Sequence, residues 1–154
     1  MDIIDEQQYI ARILLSIYDS ANCLFNEEKR LGDEDTFSKL LSENELILTT
    51  VDLKAVGFLT YNSVNSKYIE ISGLYVSQEH QNSGVASAMM DKLKTLGGNR
   101  TLFSKVLNNA PWAKNFYMKH KFVPISENHD FFRDVPSFSN NINRSTVFLQ
   151  IPCI

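Results

Sequence analysis

The chain has little cysteine. Cys23 and Cys153 stand far apart among 154 residues and match no metal-ligand spacing, which excludes a disulfide scaffold and leaves two reduced structural thiols as the simpler reading. No cluster of His, Cys and Asp has ligand spacing, so no metal is expected. No apolar run approaches the ~18–20 residues that span a bilayer. The acidic start, Met1-Asp-Ile-Ile-Asp-Glu6, lacks a signal-peptide pattern. A cytoplasmic protein that avoids membranes is the expectation. There is no basic run and no interleaved aromatic stripe, which disfavours nucleic acid as a partner. There is also no internal repeat and no low-complexity linker, so residues 1–154 are expected to form one domain.

What is present is ordinary globular composition, 44% hydrophobic and 21% charged, with an uneven charge. The net −3 divides into −7 over residues 1–99 and +4 over residues 100–154, a pattern that suits one part meeting a cation and another an anion, or a solvated surface with no such meaning. Apolar residues at Tyr9, Ile10, Ile13, Leu14, Ile17 and Tyr18 predict a helix over 6–21. Residues 26–35 read as a loop and 36–41 as a short helix. Strands are predicted at 45–51 and 55–61 around a hairpin at Asp52-Leu-Lys54, and at 68–76. A helix from Ser83 to about Leu96 stops at Gly97-Gly98. A strand over 101–106, a helix over about 110–120, a start of strand at 122–124 and a last strand at 145–151 complete an α/β (α+β) order, one sheet covered by helices.

Most of the functional information lies in residues 68–90. An apolar β-branched run ends at Val76, a polar turn follows, and Gln81-Asn-Ser-Gly-Val-Ala86 opens an amphipathic helix. Gly84 and Ala86 remove side-chain bulk where first-turn amides lack helical partners and the dipole is positive, so a phosphate is the natural guest. The strand–turn–helix context lifts this above a chance glycine spacing.

Two segments resemble the GNAT superfamily of N-acetyltransferases. In Leu74-Tyr-Val-Ser-Gln-Glu-His-Gln-Asn-Ser-Gly-Val-Ala-Ser-Ala-Met-Met90, Gln81, Gly84 and Ala86 fill the three places of that family's acetyl-CoA motif. Val106-Leu-Asn-Asn-Ala-Pro-Trp-Ala-Lys-Asn-Phe-Tyr-Met-Lys-His-Lys-Phe122 is similar to its later motif. The resemblance implies a mixed, mostly antiparallel sheet with a strand splayed at the acetyl-CoA site. It also implies backbone contacts from Leu74, Tyr75 and Val76 to the pantetheine arm. The amides of about Asn82, Ser83, Gly84, Val85, Ala86 and Ser87 would cradle the pyrophosphate, with the Ser83 hydroxyl as an extra donor. Gly73 permits a bulge where the strand bends. Asn109, with Asn108, would reach the pantetheine from the other side; the same residues read equally as a helix N-cap before Pro111.

Tyr117 occupies the place of the family's tyrosine near the thioester sulfur, suited to protonating the leaving thiolate; an ordinary packed tyrosine beside Phe116 and Phe122 is the other reading. Glu70 stands where some members carry a catalytic glutamate, and would take the proton of the acceptor ammonium, or be a solvated or salt-bridged strand carboxylate. Glu79, His80 and His120 read as surface residues, and His129 lies in a polar loop. Lys121 replaces the glycine usual before Phe122, so it must avoid a positive φ or accept strain of ~1 kcal/mol or more. The family's first strand corresponds at best to residues 2–5. The acidic early residues Asp19, Glu27, Glu28, Asp33, Glu34 and Asp35 suggest a cationic amine acceptor: a polyamine, an amino-sugar or a lysine-containing peptide. The stretch from His129 to Asn141 reads as a loop, a lid or a homodimer contact. A non-catalytic acyl-CoA sensor is the competing class; a modifier of charged tRNA or protein termini is a third, which the acidic balance disfavours in its tRNA form.

Overall fold

A computed structural model describes residues 6–22, 34–138 and 145–152. The calls on residues 2–5, Cys23, Glu27, Glu28, Asp33, 139–141 and Cys153 lie outside them. Among the described residues, five α-helices and six strands follow in the order α1 (Glu6–Asn22), α2 (Glu34–Glu43), β1 (Glu45–Val51), β2 (Lys54–Ser63), β3 (Tyr68–Val76), α3 (Val85–Gly97), β4 (Thr101–Leu107), α4 (Pro111–Lys119), β5 (Val123–Pro124), α5 (Phe131–Asp134) and β6 (Ser145–Gln150). The strands form one mixed sheet ordered β1-β2-β3-β4-β6-β5. Its β1/β2, β4/β6 and β5/β6 pairs are antiparallel and its β3/β4 pair parallel.

The described chain divides into two compact units. One holds the residues up to Asn62 with Ser72–Leu93, the other Ser63–Ile71 with the residues from Lys94 onward. In the first unit, α1 buries Ala11, Leu14, Ile17 and Tyr18 against Phe37 and Phe58. That is the helical stripe expected, except that Tyr9 falls off it and is exposed. α2 begins at Glu34, earlier than the loop expected through residue 35, because Glu34 and Asp35 place negative charge on its first turn. The hairpin loop contracts to Asp52 and Leu53, both at positive φ (50° and 67°), with Lys54 already paired to Val51. Two left-handed residues give the twist a two-residue hairpin needs.

In the second unit, β4 lies between β3 and β6. Tyr68, Phe103, Phe131, Val135, Val147 and Leu149 form its core. The stretch expected as a loop from His129 is therefore largely structural. Phe131 and Val135 are buried, and Asp134 Oδ2 accepts from the Tyr68 hydroxyl (3.1 Å) and from Lys67 Nζ (3.2 Å). The aromatic anchors sit among Asp, Arg and Ser, which masks them in a hydropathy reading. α4 ends with Lys121 at φ 72°, where Lys121 N donates to Met118 O (3.1 Å) and Phe122 N to Tyr117 O (3.0 Å). This Schellman turn demands a left-handed residue, and the lysine accepts the strain.

Candidate functional site

In the first unit, the end of β3 leads into the start of α3. The 3₁₀ turn Gln78–His80 is pinned to α1 by the bond from Gln78 N to Ser20 Oγ (2.9 Å). Gln81 then runs extended and its Nε2 donates to Val76 O (3.0 Å), tying the loop to the strand it leaves. Asn82 (φ 61°) and Gly84 (φ 89°) are left-handed, so the helix starts at Val85 rather than at Ser83. A Cβ at Gly84 would meet nothing within 4 Å. The glycine thus serves its φ and leaves open space before the helix. The Ser83 hydroxyl donates to His80 O, so its proton closes the turn. Ala88 N to Gly84 O (3.0 Å) is the first bond of the α3 ladder, and the amides of Val85 and Ala86 precede it at the positive end of a 13-residue helix. Left-handed residues alternating with others in such a loop make an anion-binding concavity.

Packing fixes this helix start. A Cβ on Gly57 of β2 would lie 2.9 Å from Val85 Cγ1, 3.2 Å from Met89 Cε and 3.3 Å from Tyr75 O. The Val85 side chain is therefore an anchor, and its amide is what it can offer a ligand. Likewise Tyr75 packs its ring on Tyr18 (5.1 Å) and Phe58 (5.4 Å), leaving only its backbone for the strand contact expected of it. Leu74 is half-buried. Gly73 has no positive φ; a Cβ there would come within 2.8 Å of Thr60 Oγ1, so close approach explains this glycine.

In the second unit, the parallel ladder runs from Tyr68↔Thr101 to Ile71↔Ser104 and ends there, although β3 continues to Val76 and β4 to Leu107. The end of this ladder, at Ile71 and Ser104, is termed the fork. Ser104 Oγ donates to Ile71 O (3.5 Å), and Tyr117 is hydrogen-bonded to Ser104. Burial pushes the Tyr117 phenol up to about 12, and the Ser104 bond offsets part of that rise. The ring packs on Phe122 (5.1 Å), Phe116 (5.5 Å) and Phe148 (6.3 Å), and Phe148 pairs with Ser104. The packed reading of Tyr117 thus holds for its ring, while its hydroxyl is bonded at Ser104, where the ladder ends.

Glu70 is half-buried and pairs with Phe103, the neighbour of Ser104. Because successive strand residues face opposite sides, Glu70 and Tyr117 lie on opposite faces of the forked pair. Asn109 is exposed, and α4 is capped by Ala110 with no side-chain bond, so the capping reading of the asparagines is overturned. Asn108 Oδ1 instead accepts from Thr146 Oγ1 (2.6 Å). His120 is buried rather than on the surface, with Nδ1 3.3 Å from Lys94 Nζ and its ring against Phe116. His129 Nδ1 accepts from Phe131 N (3.0 Å), a turn bond at the start of α5. Among the acidic residues, Glu34 pairs with Arg12 (3.1 Å), which neutralises part of the charge assigned to the acceptor. Ser104 was missed from the sequence; its one signal is a hydroxyl at a buried place in an otherwise apolar segment of strand.

Among the described residues no group of three His, Cys, Asp or Glu could hold a metal, and no helix is long and apolar enough to cross a membrane. No curated protein matches the chain in sequence. Solved structures do match in fold. Ard1 from Thermoplasma volcanium superposes with a TM-score of 0.70 at 20% identity, covering 94% of each chain. The PaiA N-acetyltransferase from Thermoplasma acidophilum, solved in complex with coenzyme A, gives 0.73 at 9% identity over 94% of each. A GNAT family acetyltransferase from Elizabethkingia anophelis with acetyl-CoA bound gives 0.63 at 15% identity, covering 87% of this chain and 89% of that one. The sequence profile described as the acetyltransferase (GNAT) family matches residues 14–122, a span that includes the helix start, the fork and Tyr117. This chain belongs to the acetyltransferase (GNAT) family.

Proposed function

We propose that the protein transfers the acetyl group of acetyl-CoA to a primary amine by direct attack in a ternary complex. The observation that carries this is the fork after Ile71↔Ser104, with the Tyr117 hydroxyl bonded at its apex and Glu70 on the other face. A thioester lying in such a fork is open to a nucleophile from one side and to an acid from the other. The donor half has separate support in the Val85 and Ala86 amides and the open space at Gly84, which suit a pyrophosphate, and in the coenzyme bound by two structural relatives. The exposed Asn109, which does not cap α4, suits a bond to the pantetheine amides, as the backbone of β3 after the last pair of its ladder to β4 does.

In the reaction, the amine nitrogen attacks the thioester carbonyl, a C–N bond forms and the C–S bond breaks. The amine arrives as an ammonium; making it neutral at pH 7 costs about 4–5 kcal/mol for a pKa of about 10.4. Glu70 accepts that proton, directly or through a water. The thiolate takes the proton of Tyr117, and the second proton, which the nitrogen sheds as the amide forms, returns to the phenolate. A phenol at about 12 is a weaker acid than the ordinary one, and against a thiol of pKa ~8.5 the transfer is uphill by several kcal/mol. Desolvation of the thiolate in the same buried place raises its basicity and narrows the gap. Proton transfer therefore accompanies C–S cleavage rather than preceding it.

Steady-state thiol release from acetyl-CoA with a panel of amines tests the roles. Tyr117→Phe is expected to lower kcat by about 10²–10⁴ with little change in KM for acetyl-CoA, and Glu70→Gln to move the rising limb of the pH profile to higher pH. Unchanged turnover in both variants removes the mechanism. Coenzyme binding without turnover of any amine favours a sensor.

A further inference from the structure

The second unit contains a cavity of about 240 Å³ that the transfer mechanism does not use. Its place follows from strand register. Glu70 pairs with Phe103, and Lys105, two residues on, shares that face and pairs with Val147; Lys105 and Val147 both line the cavity. Two residues of strand span roughly 6.6 Å, and the ladder to β3 ends at the residue between them, Ser104. The cavity thus starts just past the apex of the fork, on the Glu70 face. Ile125, Phe132, Phe138 and Val147 supply apolar walls, and Lys105 and Glu127 supply one charge of each sign.

We propose that the acceptor is a monoamine with a compact apolar body, an aryl ring or a branched alkyl group, which seats in this cavity while its amino group reaches the fork. The proposal rests on the acetyltransferase reading and narrows its acceptor. Pockets that enclose whole drug-sized ligands run to about 300–1,000 Å³; this smaller one suits a single ring or branched chain rather than a disaccharide. Its charges decide against a polyamine. A second ammonium there meets Lys105, and Glu127 is the one carboxylate in the lining, so the cavity itself, which would hold that second ammonium, carries no net charge to draw it. The phenylalanine rings favour a flat apolar body by edge and face contacts.

Binding of the acetylated product, read by saturation-transfer NMR in the presence of coenzyme A, tests this without requiring turnover. N-(2-phenylethyl)acetamide is expected to bind at least about tenfold tighter than N-acetyl-1,4-diaminobutane, the scale on which apolar pockets discriminate. Ser126→Trp, placed on the exposed rim, fills the cavity and abolishes transfer to the aryl amide, while the coenzyme-induced thermal shift persists. Lys105→Glu moves the preference toward the diamine product. The proposal falls with no transfer to the aryl amide in the wild type, transfer that survives Ser126→Trp, or an initial preference for the diamine. Absence of any coenzyme-induced shift in the wild type brings down the acetyltransferase reading itself, a separate result from these three.

Discussion

Replacing Tyr117 with phenylalanine removes one oxygen from the apex of the fork and gives a stability signature of its own. The folded phenol titrates at about 12 because it is buried, whereas in the unfolded chain it titrates near 10. The folded state therefore holds this proton more tightly. Its contribution is fully present below pH 10 and is lost as the pH rises through about 12. The whole gap is worth about 3 kcal/mol, of which about half is gone by pH 11. At pH 8 the variant lacks the bond to Ser104, worth about 0.5–1.5 kcal/mol, and is the less stable protein. The two effects meet near pH 11, and beyond it the variant should be the more stable. Urea unfolding followed by circular dichroism at pH 8, 9.5 and 11 reads the difference directly, since all other titrations are common to both proteins. Parallel loss of stability in wild type and variant across that range would refute the buried, proton-holding phenol. The kinetic corollary is that kcat shows no falling limb with a pKa near 10.

Two further substitutions follow from the backbone. Lys121→Gly relieves the left-handed lysine at φ 72°; a gain of about 1 kcal/mol is expected, raising Tm by about 2–4 °C in a thermal melt, and an unchanged or lower Tm counts against the strain. Gly57→Ala places a methyl 2.9 Å from Val85 Cγ1 and 3.3 Å from the backbone oxygen of Tyr75. A cost of about 1–3 kcal/mol is expected, together with weaker coenzyme binding because the start of α3 must move; a calorimetric titration showing wild-type affinity would separate Gly57 from the phosphate loop.

Much of the architecture was legible because its signals are local. The run of Leu, Ile, Thr and Val over 45–51, the helical spacing over 10–18 and the Gly97-Gly98 stop each depend on neighbours a few residues away. The loop from Gln81 to Ala86 was legible for the same reason, since a left-handed glycine at a helix start is a local requirement. What stayed hidden depends on long-range contact. Phe131 and Val135 are core only because Tyr68 and Phe103 come to meet them. His120 is buried by Lys94 and Phe116 in a way its position at a helix end does not announce. Ser104 gains its role from two partners, Ile71 and Tyr117, at sequence distances that no spacing rule covers. Gly73 was legible as a special glycine for a different reason from the one that operates: Thr60 occupies the space a side chain would need. The acceptor was the least legible part. Its acidic residues were counted without their partners, and Arg12 on Glu34 shows why a count of charge is not a field.

The central claim is that an acetyl group passes from acetyl-CoA to an amine on this chain. Mass spectrometry of 2-phenylethylamine incubated with the protein and acetyl-CoA, with free thiol measured in the same samples, tests it most directly. The expected result is the N-acetyl amide in one-to-one ratio with released coenzyme A, strongly reduced with Tyr117→Phe. Thiol release without amide, or neither product from this amine or any of the panel, would contradict it.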